Sequence, residues 1–485
     1  DFDPEEQFLF NHAVTAGVNL ITIFLPEDAL PASALPQNVF GRYRLTSAPV
    51  DTPSPVGLLP DGEVEDYQAA IYHPTFVLWM DTLTSTGTDA ADVYILDLAA
   101  RTLSVNGVVR DIPLGVDTFQ FDAGGGHDTL TILGAAGAER VRMLPGIAIL
   151  EASSIGLTGS GGGFEEITYH GQGNGDRAVF VDSSGNDAFT AETIGGVPTF
   201  SMEGTGFINM ADGVASVAAI ASRGGNDHAV VDDSVGNDTF VGRPTVASMV
   251  ATTFGLDLFS FEQVTAEATT GVDRAVFKDS LANVSDTFVA TPTSASLSGS
   301  GYLLEANQFD LISAESLGGM DIARLSGSDA GQSSGDVYRA GPDSATMSGV
   351  GFAFQIDGFA TVIAQAFGGN DLALLTGSNG DDTFSANPTF AQMTGSGFDL
   401  RALNFATMVG TAVDGGVDRA FLADSSGDDR FLGFDSTGIL RNEAGTFFER
   451  AHGFDAIRID GRNGGTNRRI VDSSIAYLLN QIGSW

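Results

Sequence analysis

The chain has 485 residues, 43% of them hydrophobic and 34 of them Phe, which is ample for a large core and too apolar for a disordered chain. Sixty-two acidic residues against 22 basic ones give a net charge of −40, a surface that would repel a phosphate backbone or an anionic bilayer, so neither nucleic acid nor membrane insertion is expected. No cysteine is present, which removes disulfides and thiolate metal ligands, and no run of about 20 apolar residues could form a membrane-spanning helix.

Residues 1–75 form a segment of their own, rich in proline (Pro26, Pro31, Pro36, Pro53, Pro55, Pro60). Strand-like runs cover 17–26 and 41–46, and Asp61-Gly62 makes a turn into a further strand over 63–72. The signature Gly62-Glu63-Val64-Glu65-Asp66-Tyr67, with Val18-Asn19 and Arg42-Tyr43-Arg44-Leu45 upstream, resembles the GEVED domain of large secreted bacterial surface proteins. The resemblance implies a small β-sandwich. Of that family's first strand, with its Asp-x-Asn-x-Asp-Gly turn, only Asp1-Phe2-Asp3 matches, so the module is expected to lack a strand, which either a neighbouring subunit supplies or trimmed upstream sequence carried. The acidic start at Asp1 reads as a mature or trimmed end.

From 76 to 470 the text changes to short β-rich runs between Gly, Asp, Asn and Ser, and it repeats. A second-turn acid recurs at Asp92, Glu139, Asp187, Asp238, Asp286, Asp336, Asp382 and Asp429, a first-turn aspartate at Asp128, Asp176, Asp227, Asp273, Asp321, Asp371 and Asp418, and an aromatic at Phe261, Phe309, Phe359, Phe405 and Phe454. All three keep a beat of about 48 residues. Pro-Thr turns (Pro198-Thr199, Pro244-Thr245, Pro292-Thr293, Pro388-Thr389) and a Ser/Thr-Gly-x-Gly-aromatic run (298–302, 348–352, 394–398) return in several of the units. The expected fold is all-β: an N-terminal sandwich-like module followed by a parallel β-helix of about eight units. Read as a three-faced helix, each unit would make two rungs, sixteen in all, in a rod of roughly 75–80 Å. Residues 471–485 break the repeat and read as a cap or a docking tail.

The glycine/aspartate turns, such as 124–130 and 369–372, resemble single fragments of the calcium nonapeptide of RTX-type β-rolls. The motif occurs once per unit instead of in tandem, so two readings stand. Asp128, Asp227, Asp238, Asp371 and Asp382 are calcium candidates, or they are turn-capping carboxylates bonded to local N–H groups. The pattern requires no cofactor, and calcium is the ion it could take. The six histidines (His12, His73, His127, His170, His228, His452) are scattered without metal-ligand spacing, and His127 and His228 are expected to face solvent. Arg177, Arg274 and Arg419 directly follow first-turn aspartates and are expected to offset their charge.

No phosphate loop, nucleophile elbow or dinucleotide fingerprint is present, and no carboxylate cluster interrupts the repeat as a grafted catalytic site would. The reading is therefore a non-enzymatic, secreted or cell-surface structural protein that self-assembles head to tail as a filament, matrix or adhesion subunit. Its partners would be further copies of itself or extracellular polysaccharide. The alternatives are a β-helical polysaccharide lyase or glycosidase and a calcium-stiffened adhesin rod.

Overall fold

The computed structural model describes residues 37–46, 63–71, 77–79 and 81–485, apart from 173–174, 281–283, 330–334 and 414. The expected strand at 17–26, the start at Asp1 and the strand thought to be missing lie outside these residues. Gln37–Leu45 pairs antiparallel with Glu63–Ile71, Gly41 opposite Tyr67.

From Thr82 onward the chain is a β-solenoid, and the only helical element among the described residues is one 3-10 turn, Ser153–Ile155. The strands are short and most of them alternate, Arg177–Val181 and Ser216–Ile220 being exceptions buried at consecutive residues. Thr383–Asn387 buries Phe384 and Ala386, with Thr383, Ser385 and Asn387 between them half-buried, and Leu372–Thr376 buries Ala373 and Leu375, with Leu372, Leu374 and Thr376 half-buried. A period of two on a half-buried strand places every second residue in one core, which runs without a break from Leu83 to Tyr477.

Two sheets, not three faces, enclose that core. One has 22 strands and the other 21. Each unit crosses between them three times and so makes one and a half turns, with the middle crossing expanded into a three-stranded meander. Arg177–Val181 lies in the first sheet, the meander Ala188–Ile194, Val197–Gly204, Phe207–Asp212 in the second, and Ser216–Ile220 in the first again. Three crossings is an odd number, so the next meander (Thr239–Arg243, Val246–Val250, Gly255–Phe259) falls in the opposite sheet. Two units make one true structural period.

The meanders run backward. The strand at 188–191 pairs in parallel with the later strand at 228–231, whereas the meander's last strand returns to pair with the earlier Glu166–His170. The chain overshoots and doubles back to fill the gap, so adjacent units interlock. Because meanders add strands, the rod is longer than the sixteen-rung expectation: 22 strands at about 4.8 Å give roughly 100 Å.

The recurring Gly-x-Gly-aromatic run has a steric cause. A Cβ on Gly395 would run into Asp382 Oδ1 and the Phe398 ring, and Gly204, Gly299 and Gly349 stand in the same relation to Asp187, Asp286 and Asp336. Gly397, two residues on, has φ +88° in open space and is required only by its backbone. Gly395→Ala is expected to cost about 1–3 kcal/mol by overpacking, read as a lower denaturation midpoint. An unchanged midpoint would contradict the packing argument.

Candidate functional site

Eight corners, one per unit, carry the aspartates of the repeat. In the corner at 377–382, Asp382 accepts the Ser378 N–H at 2.5 Å and the Ser378 hydroxyl at 3.0 Å. Its own N–H donates to Asp418 Oδ1 on the next turn at 2.8 Å, and the Asp418 N–H donates in turn to Asp455 Oδ2 at 2.8 Å. The same three-acid chain runs Asp92 to Asp128 to Glu165, Asp187 to Asp227 to Glu262, and Asp238 to Asp273 to Asp310. The second-turn carboxylate accepts from its own corner and the first-turn carboxylate accepts one backbone N–H from the neighbouring turn, and together they fix the strand starts in register. Each such charge-assisted bond is worth about 1.5–3 kcal/mol.

The five residues singled out from the sequence all lie here and are all buried. Asp128 accepts the Asp92 N–H at 2.7 Å, Asp227 that of Asp187 at 2.8 Å, and Asp371 that of Asp336 at 2.7 Å. Asp238 accepts from Ser234 and Thr252, and Asp382 from Ser378. Capping of the residue's own turn is thus present at Asp238 and Asp382, whereas Asp128, Asp227 and Asp371 bond an N–H of another turn.

The structure brings three carboxylates together in two corners: Asp233, Asp238 and Asp273 in one, Asp279, Asp286 and Asp321 in the other, one oxygen from each lying within 4.8 Å of the others. Of the five candidates only Asp238 belongs to such a group. The rest of both groups was missed by the sequence reading, although a signal existed. The residue before the capping Ser is Asp in Asp182-Ser183, Asp233-Ser234, Asp279-Ser280 and Asp424-Ser425, but Gly in Gly327-Ser328 and Gly377-Ser378.

Burial sets the electrostatics. It pushes the carboxyls of Asp128, Asp273, Asp371 and Asp418 up from the usual range, and the N–H that each accepts only partly opposes this. Asp227 is pushed up to about 6 by burial, with Asp187 and Glu262 adding repulsion. Asp279 is likewise pushed to about 6 by burial, and Asp321 beside it adds to the rise.

The arginines do not offset this charge. Arg177, Arg274 and Arg419 are exposed while the aspartates before them are buried, because adjacent residues on a strand point to opposite faces. The ion pairs among the described residues are elsewhere: Lys278–Glu315, Arg401–Asp399, Arg462–Asp460 and His170–Asp212. His127 and His228 are exposed beside their turns, as expected.

Two shallow depressions open on the surface. The first, about 330 Å³, is lined by Phe390, Phe421, Arg458 and a single carboxylate, Asp460, with the Arg458 guanidinium 5.8 Å from the Phe421 ring centre. The second, about 390 Å³, includes Asp187, Glu203 and His228, but both Asp187 oxygens are already engaged by Ser183. Glycoside hydrolysis needs a pair of free carboxylates flanking the scissile bond, and neither depression presents one. No protein-family profile matches the chain, and no characterised protein shows significant sequence similarity to it.

Proposed function

We propose that this chain is the rod subunit of an extracellular structural assembly, a filament or matrix element that grows head to tail. The observation that carries the reading is that each sheet ends in strands whose outer edges pair with no other described strand. At one end these are Val77–Trp79 and Val108–Asp111, and at the other Arg468–Val471 and Leu478–Gly483. Open edges are adhesive unless covered. Val108, Val109, Ile470 and Leu478 are exposed on them.

The two ends differ, which favours a heterologous contact that propagates over a self-complementary one that closes. Arg462, Arg468 and Arg469 gather at the C-terminal end of a chain that is otherwise strongly acidic, giving that end a sign complementary to the rest. Trp485 folds back onto Phe431, with ring centres 6.3 Å apart, and its Nε1–H donates to the Ile482 carbonyl of the last strand at 3.1 Å. The GEVED-like signature supports a location outside the cell, with polysaccharide as a second partner.

Sedimentation velocity over a range of concentrations tests this. The wild-type chain is expected to form species that grow with concentration, and Ile470→Glu/Leu478→Glu, which adds negative charge to the basic edge, to remain monomeric. A wild-type chain that is monomeric throughout would overturn the proposal.

A further inference from the structure

We infer that the two three-carboxylate corners, Asp233/Asp238/Asp273 and Asp279/Asp286/Asp321, each bind a hard divalent cation of the calcium type. This inference does not depend on whether the rods join end to end.

All six carboxylates are at most 4% exposed, and no ammonium or guanidinium pairs with any of them among the described residues. Three like charges so placed demand a counter-charge or protons. The spacing suits an ion. Oxygens held at about 2.4 Å from a shared calcium lie no more than about 4.8 Å apart, and one oxygen from each residue of either corner meets that limit.

The hydrogen-bond inventory identifies which atoms are left over. Asp233 Oδ1 accepts the Thr269 N–H and hydroxyl, and Asp279 Oδ1 accepts the Leu317 N–H at 2.7 Å. The other oxygen of each, Asp233 Oδ2 and Asp279 Oδ2, is buried without a partner. A carboxylate oxygen left in that state inside a protein is costly and calls for a proton or an outside partner, and with one oxygen from each of the three carboxylates lying within 4.8 Å of the others a cation can meet all three at once.

The chain also contains its own control. The last corner has the same plan, Asp424, Asp429 and, in the place of Asp273 and Asp321, Asn467. Asn467 Oδ1 accepts the Asp429 N–H at 3.1 Å, as Asp273 and Asp321 accept those of Asp238 and Asp286. Its amide Nδ2 then donates to Asp424 Oδ2 at 2.8 Å, the counterpart of the orphaned oxygens. Where an amide is present the third carboxylate is satisfied internally. Where a carboxylate replaces that amide, the side chain has only acceptors left to offer, and a cation takes the donor's place.

The Gly-type corners lack the third carboxylate, and a Cβ on Gly327 or Gly377 would run into Asp336 or Asp382. Asp182 has an orphaned oxygen as well, but its carboxylates do not close to the same spacing. All ligands on offer are oxygens, including the Ser234 and Ser280 hydroxyls beside Asp238 and Asp286, which excludes preference for a soft metal. So deep a corner suits calcium, which tolerates irregular protein ligands, better than magnesium, which keeps its waters.

The test uses the full chain, stripped with chelator and titrated with calcium chloride by calorimetry alongside thermal melting. Two equivalents are expected to bind with a rise in melting temperature that EDTA reverses, and magnesium to bind more weakly. Asp273→Asn and Asp321→Asn reproduce the Asn467 arrangement, so each is expected to remove one equivalent and the double variant both. Without calcium, these variants should melt no lower than the stripped wild type. Asp128→Asn, in a corner without the third carboxylate, is the control and should leave the stoichiometry at two. Absence of calcium binding by the wild type, or full stoichiometry in the double variant, would overturn the inference.

Discussion

Phe288→Ala is expected to destabilise the solenoid by about 3–5 kcal/mol, seen as a lower denaturation midpoint, the largest loss among single truncations considered for this chain. The ring is fully buried and lies in the middle of a continuous aromatic column. Phe277 is 5.6 Å from it and Phe359 6.1 Å on the other side, and the column continues from Phe277 through Phe240 to Phe309 at 6.1 and 6.4 Å. These residues belong to successive turns and to both sheets, so removing one ring leaves a cavity whose walls are other rings held by separate strands. Backbone ladders above and below limit collapse into it, which places the cost toward the upper part of the range for a Phe truncation. Phe288→Leu, which refills most of the volume, should lose far less. A loss under about 1 kcal/mol for the alanine variant would show that the column is not a stacked core.

Glu449→Met is expected to do the opposite and stabilise the chain by about 1–3 kcal/mol near neutral pH, the magnitude of an unsatisfied buried polar group. Glu449 lies on an inward position of Phe448–His452, fully buried, with Met408 and Leu440 opposite it in the flanking strands. Both of its carboxyl oxygens are without a hydrogen-bond partner. Burial, with Asp429 and Asp424 adding repulsion, pushes its carboxyl well above the ordinary value of 4.5. A carboxyl whose pKa is higher folded than unfolded holds its proton better in the native state. Its stabilising contribution is therefore complete below 4.5 and is lost as the pH rises toward the folded value.

Asp227 acts with the same sign between its ordinary 3.8 and about 6. Chelator-treated wild type should thus melt at progressively lower temperature as the pH rises from about 4 through 6. Glu449→Met should flatten that slope and raise the melting temperature most at the upper end. Stability that increases with pH over that interval, or a methionine variant that melts lower than wild type, would contradict this account.

Much of this architecture is legible in the sequence because the features that repeat are those that packing or hydrogen bonding requires. The two aspartate beats mark corners that are in the structure, and the aromatic beat marks Phe261, Phe309, Phe359, Phe405 and Phe454, all of them buried. Less legible is how the strands are threaded. A run such as 390–395 has the same alternation whether it climbs to a third face or returns antiparallel against 383–387, as it does. The alternation of sheets is hidden for the same reason, since it follows from counting crossings and not from any residue.

The three-carboxylate corners were obscured differently. Asp233 and Asp279 stand beside a capping serine on the chain, but they face aspartates about five and forty residues away, a proximity that only the interlocked turns create. The departure of Asn467 from the beat looks in sequence like the decay of a terminal repeat, whereas in three dimensions its amide satisfies Asp424.

Whether the rod joins its copies through open sheet edges is decided by electron microscopy of the full chain across concentration and salt. Unbranched filaments one solenoid wide are expected, growing longer with concentration and shortened to single rods by Ile470→Glu/Leu478→Glu. Rods of one fixed length under every condition, in wild type and variant alike, would contradict end-to-end joining.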